Sequence, residues 1–298
     1  MHLKSSNSRL IAAAPFVFVV LWATGFVVAR LSAGHVGPLW FLALRFPMAG
    51  LFMLVLAHFQ GVAWPDAKHA AHAAVAGAFL HGAYLAPIYW AVAHGLPAGV
   101  AALIVGLQPL FTAFLAALFL REAIHARHWF GLIIGFIGIG LVVSPKLSFG
   151  AVDGITPITV SLTLIGAACI SLGTVYQKRF ATGIALTSGG AWQYFGASAV
   201  VLLSALFLED YHFDGSVQAW WALGWSVIVL SIFAITLLMI LIREGEVSRV
   251  SGMIFMVPAV SALMTFFLFG EMLTFIQIIG MAVCAAAVLI VNRGPRAA

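Results

Sequence analysis

The chain has 298 residues, 63% of them hydrophobic, with 14 Lys and Arg against 9 Asp and Glu. A mean hydropathy of +1.12 excludes a water-soluble domain. The apolar runs are continuous rather than alternating, which excludes a membrane barrel and leaves an all-α polytopic membrane protein.

Ten spans are predicted, near 11–30, 38–58, 70–93, 97–119, 127–145, 157–178, 188–208, 219–242, 248–269 and 273–292. Each is long enough for a hydrocarbon core of ~30 Å. The first run follows Lys4 and Arg9 and has the shape of a signal peptide; it is read as a retained helix because everything after it is also membrane. Gly, Pro and charge mark the ends, as in "SAGHVGP", "HGLPAG" and "REGEVSR". Of all the charged side chains only Arg45, two turns into the second span, lies away from the span ends and the gaps between them. With the N-terminus in the cytoplasm, eleven Lys and Arg fall on the cytoplasmic side and two, Arg30 and Lys146, on the other. That bias places both termini in the cytoplasm. It also accounts for the basic balance, so no nucleic-acid partner is expected. Cys169 and Cys284 sit in separate spans, without disulfide or metal spacing; no metal or cofactor is expected.

Shifted by 149 residues, the two halves align without a gap. Arg30 falls on Arg179, Phe46 on Phe195, Pro109 on Pro258, Glu122 on Glu271 and Gly131 on Gly280. The best block pairs "LQPLFTAFLAALFLRE" with "MVPAVSALMTFFLFGE". A Pro, a Glu and a Gly in one frame are far less common by chance than matched apolar residues. Five spans per half is an odd number, so the halves 1–149 and 150–298 cross the membrane in opposite senses. Inverted repeats of this kind are the signature of secondary transporters, with the substrate site near mid-membrane where the halves meet.

These blocks, with "LALRFPMAG" in the second span, resemble the EamA-type members of the drug/metabolite transporter superfamily over essentially the whole chain. The aromatic-rich first half is similar to that of the bacterial aromatic amino-acid exporters within it. The resemblance implies ten transmembrane helices in two inverted five-helix repeats, with helices 1–4 and 6–9 around a central cavity. It implies export of a small metabolite across the bacterial inner membrane by alternating access. Sugar-phosphate relatives use several basic side chains in the cavity, whereas here only Arg45 is available, which disfavours a dianion.

Within the spans, His81 and Tyr84 share a helix face one turn apart. They read as a hydrogen-bonding patch for a zwitterion or a protonatable relay, or as structural contacts to a neighbouring helix. Gln108 precedes Pro109, making a polar spot beside a kink; it serves either the substrate or the kink itself. Pro87, Pro109 and Pro258 are candidate hinges or static kinks. Thr236 stands where Pro87 has its counterpart, so a bend there needs another cause. Trp22 and Trp192 are candidates for stacking against a substrate side chain, while Tyr89 and Trp90 lie nearer a span end and could be interface anchors. Arg45 either snorkels, holds structure or meets substrate. Gly131 and Gly135 form a GxxxG that permits close contact within or between copies, leaving the oligomeric state open.

An enzyme would need a nucleophile–base pair, paired acids or a metal set, and the spans hold no Asp or Glu. Ser171 or Ser231 near His81 is the one hydrolytic arrangement left to test. Repeated polar filter groups of a channel are missing. Two transport readings remain: an amino-acid exporter, if His81, Tyr84 and Gln108 converge, and an exporter of hydrophobic or cationic drugs, if the cavity is apolar.

Overall fold

The computed structural model describes residues 4–120, 126–147, 154–237, 257–270 and 272–292. Among them every regular element is helical, and the one extended contact is an isolated antiparallel bridge between Val36 and Phe213. The helices are α1 (Lys4–Ser32), α2 (Pro38–Phe59), α3 (Ala67–Ala93), α4 (Ala98–Val105), α5 (Gln108–Leu120) and α6 (Ala126–Leu147). They continue with α7 (Pro157–Phe180), α8 (Leu186–Leu208), α9 (Val217–Leu237), α10 (Val257–Phe269) and α11 (Phe275–Asn292). Polar residues at the span edges cap the start of three of them. Asp66 accepts the His69 N–H (2.8 Å), Ser216 accepts that of Ala219 (3.2 Å), and Thr156 with Thr159 forms a capping box before Pro157.

Six stretches among the described residues are long and apolar enough to cross a membrane, including Pro38–Phe59, Ala67–Ala93 and Leu186–Leu208. The outward faces carry large apolar side chains such as Phe114, Leu118, Phe207 and Phe267, while Arg45, Ser171, Ser226 and Ser231 are buried. This is the polarity of a bundle whose solvent is lipid. The chain is a multi-pass helical membrane protein.

Three departures from the sequence expectation concern backbone geometry. The span expected at 97–119 is two helices, because α4 ends at Val105 and the chain turns at Gly106 and Leu107 before α5 begins. Pro109 is therefore the second residue of a new helix, where its missing N–H has no intrahelical partner to lose, and not a kink within one. Pro258 is the second described residue of α10, and the residues before it, which decide whether it is a kink, lie outside the described ones. The third departure is a wide, π-type turn in both α3 (Ala78–Gly82) and α9 (Ser226–Ala234). In α3 the N–H of Ala83 bonds to the carbonyl of Ala78, five residues back. Shifted by 149, the first wide turn falls inside the second. So α9 changes its winding without a proline, the cause that Thr236 left open. Glu122 and Glu271, expected at helix exits, lie outside the described residues, as do residues 238–256.

α2 packs against α8, α3 against α7 and α8, α1 against α9 and α10, and α7 against α4 and α5. α4 also meets α10, and α6 meets α11. Among the described residues, α2–α8 maps onto itself, α3–α7 onto α1–α9, and α5–α7 onto α1–α10 when each helix is exchanged for its counterpart 149 residues away. The α3–α8 crossing is backbone on backbone: a methyl group on Gly77 would run into Gln193, and one on Gly196 into Ala74. Gly135 faces Leu110 and Ala287, so that half of the GxxxG serves contacts inside the bundle.

Candidate functional site

A cavity lies between α1, α2, α3, α8 and α9, lined by Trp22, Phe26, Arg45, His81, Tyr84, Tyr89, Tyr194 and Leu230 among others. Arg45 organises it. The residue is 6% exposed; its Nε donates to Ser231 Oγ (3.1 Å) and its Nη1 to the Tyr89 hydroxyl (3.3 Å). The guanidinium lies 5.6 Å from the centre of the Phe46 ring, within cation–π range. Ser231 sits in the wide turn of α9, and its carbonyl accepts the Tyr194 hydroxyl (2.8 Å). A turn that breaks the regular ladder frees a carbonyl for such a bond. Arg45 and Tyr194 are counterparts under the 149-residue shift, and they converge on the same serine.

His81 lies in the wide turn of α3 and its ring stacks on Tyr194 (4.8 Å, 24°), with Phe46 packed beside both. A second cavity shares His81, Tyr194 and Ile235 with the first and extends past Gln177, Gly189 and Gln193. A third pocket, bounded by Trp64, His69, Ile184 and Ala185, shares the last two with the second. The three pockets follow one another from Arg45, past the His81–Tyr194 stack, to the loops at Trp64 and Ile184, the first two with largely apolar walls.

The other end is clasped. The Leu39 and Trp40 N–H groups donate to Glu209 Oε2 (2.8 and 3.2 Å), and the Trp40 indole donates to the Glu209 carbonyl (3.1 Å). The Gly37 N–H donates to the His212 carbonyl and the Asp214 N–H to that of His35, both at 3.0 Å. The His35 ring meets the Asp214 carboxylate at 2.6 Å. Partial burial pushes the Glu209 carboxyl above the ordinary glutamate range, against the pull of the two N–H groups. Hydrogen bonds from Ser216 and then His35 hold the Asp214 carboxyl down, to about 2.

Of the residues singled out in the sequence, Trp22, His81 and Tyr84 line the cavity together. Trp192 does not: it is 38% exposed on the far face of α8, edge-on to Phe195. Gln108 is also outside the lining; its carbonyl accepts the hydroxyls of Thr112 and Ser171 (2.9 Å each) at the start of α5. Pro87 lies in α3, one turn past the wide turn. Tyr89 is no interface anchor, being buried and bonded to Arg45. Tyr194 and Gln193 were not singled out; counterpart positions in the repeat would have drawn attention to Tyr194 through Arg45. The Ser171 hydroxyl bonds to carbonyls and that of Ser231 to Arg45, so neither forms a pair with His81 among the described residues.

A polytopic helical protein holding a largely apolar, aromatic-walled cavity around a buried arginine belongs by class with the membrane transporters. The family comparison makes that specific. The model of the EamA-like transporter family matches residues 10–144 and again 157–293, and the chain belongs to this family. The uncharacterized inner membrane transporter YedA of Escherichia coli K12 is 28% identical over 282 residues, covering 94% of this chain and 89% of its own. A probable amino-acid metabolite efflux pump of Salmonella typhimurium is 27% identical, covering 92% and 91%. One solved crystal structure shares the fold, with a TM-score of 0.67 at 20% identity over 95% of this chain and 96% of that one.

Proposed function

We propose that the protein exports small neutral metabolites, amino acids with aromatic ones among them, across the bacterial inner membrane. In this reading ten transmembrane helices form two inverted five-helix repeats, residues 1–149 and 150–298, with both termini in the cytoplasm. Alternating access takes place around the Arg45 cavity. The observation that carries the reading is the cavity itself: clasped at the Glu209 end, followed by two further pockets toward Trp64 and Ile184, and walled by Trp22, His81, Tyr84 and Tyr194. With cytoplasmic termini, the Gln60 end faces the cytoplasm, so this is an inward-facing state ready to load. The self-mapping helix contacts and the paired wide turns support two repeats moving about one centre. The name of the Salmonella typhimurium relative supports the amino-acid assignment.

The test is uptake of labelled phenylalanine, threonine and a lipophilic cation into proteoliposomes of the purified protein, with no imposed ion gradient. Amino-acid flux above empty liposomes is the expected result. Flux of the cation alone would replace this reading with that of a drug exporter.

A further inference from the structure

We propose that Arg45 is the carboxylate anchor of the cavity, so that substrate is recognised through its acid group and needs no ammonium. The proposal rests on the amino-acid reading above and narrows it to a monocarboxylate with an apolar or aromatic tail. Among the described residues Arg45 is the buried charged side chain, and a guanidinium stays protonated in any protein environment. Among the described residues it has no carboxylate within ion-pair reach, and no Asp or Glu lines either cavity. Its hydrogen-bond partners, the hydroxyls of Ser231 and Tyr89, are neutral and take Nε and Nη1. That leaves Nη2 without a protein partner among the described residues, on a residue that lines the cavity. The hydroxyl of Tyr84, also on the wall, has none either.

A buried cation with only neutral partners is costly, and an entering anion removes that cost. The planar fork suits a carboxylate, and the bond is charge-assisted. One guanidinium balances one negative charge, which fits a monoanion better than a phosphate dianion. The ammonium of an amino acid finds no such counterpart, because no carboxylate faces it. Around the anchor the walls are aromatic: Trp22, Phe26, Tyr84, Tyr89 and Tyr194 offer a tail apolar faces. A substrate therefore binds by its acid at Arg45 and by its tail against these rings.

Three ligands separate the groups: phenylalanine, 3-phenylpropionate (acid and ring, no amine) and phenylalaninamide (amine and ring, no acid). Each competes against labelled phenylalanine in proteoliposomes, and each is also titrated against the purified protein in detergent by thermal shift. Expected is that 3-phenylpropionate competes within a few-fold of phenylalanine and that the amide is weaker by roughly ten- to a hundredfold. Arg45→Lys, which keeps the charge and loses the fork, is expected to weaken both acids while sparing the amide. An amide that binds as well as the acids would overturn the anchor and leave the transporter reading standing. Stabilisation by both acids with no phenylalanine flux would sink the transport assignment and keep the anchor. If neither acid stabilises the wild-type protein, the anchor is wrong whatever Arg45→Lys does.

Discussion

The α2–α8 pair is tied at both ends by the residue that follows each helix, and the two ties differ in charge. Glu209, just past α8, accepts two backbone N–H groups from the first turn of α2. Gln60, just past α2 and 149 residues earlier, accepts the Thr187 hydroxyl at the start of α8 (2.9 Å) as its one side-chain bond among the described residues. Beside it, the Ser188 hydroxyl donates to the Ala63 carbonyl (3.0 Å). The geometry repeats and the chemistry does not. A carboxylate facing the unpaired donors of a helix N-terminus accepts two backbone N–H bonds at once, although burial offsets the gain from its charge. A neutral amide meeting a hydroxyl makes one ordinary bond. The Glu209 tie is further reinforced by the Val36–Phe213 bridge and the His35–Asp214 contact. The cavities run to the weaker end. An asymmetric pair of latches on a symmetric frame is a physical reason for one end to be closed at rest.

If the latches set which end opens, the pivot between them must stay rigid, and the largest effect is expected there. Gly77→Val puts a branched side chain against the backbone of Gln193, which side-chain rotation cannot relieve. Destabilisation of ~3 kcal/mol or more is expected, read as loss of a cooperative melt in detergent. The latches come next. Glu209→Ala leaves the first N–H groups of α2 uncapped and is expected to cost about 1–2 kcal/mol, whereas Gln60→Ala costs about 0.5–1 kcal/mol. The functional contrast is sharper than the energetic one. With both native cysteines replaced by Ser, Ala29→Cys places a thiol on the cavity wall toward the Glu209 end. Its labelling by a membrane-impermeant reagent should rise with Glu209→Ala and stay unchanged with Gln60→Ala. Equal labelling in the two variants would show that charge at the latch does not decide which end opens.

Much of this frame was legible in the sequence, because excluding charge from hydrocarbon writes the spans plainly. The residues facing the cavity were harder to read. Trp192 and Tyr194 lie two apart in a helix that is apolar on every side, so no periodicity tells which one looks inward. The break at Gly106 was hidden for a similar reason: Pro109 advertises a kink, but a proline serves equally at a helix start. The wide turns need neither proline nor glycine at a fixed place, and they leave no mark in composition. Arg45 stood out as a lone charge, yet Ser231 is 186 residues away and only the folded chain brings them together.

The smallest effect divides the Glu209 latch into its two acids, which titrate in opposite senses. Asp214 is held below its ordinary 3.8, so the folded state binds its proton less tightly than the unfolded chain does. Its contribution to stability is complete above about pH 4 and is lost as the pH falls toward about 2. Glu209 is raised above its ordinary 4.5, so its contribution is complete below that value and is lost as the pH climbs through its higher folded value. Melting temperature should therefore pass through a shallow maximum near pH 4. Asp214→Asn flattens the acid limb of that curve and leaves the other, while Glu209→Gln flattens the upper limb and keeps an acceptor for the Leu39 and Trp40 N–H groups. Neither Gln60 nor Thr187 ionises, so Gln60→Ala should lower the whole curve without changing its shape. A change of shape in that variant would mean that the two ends are coupled through the α2–α8 pair rather than latched independently.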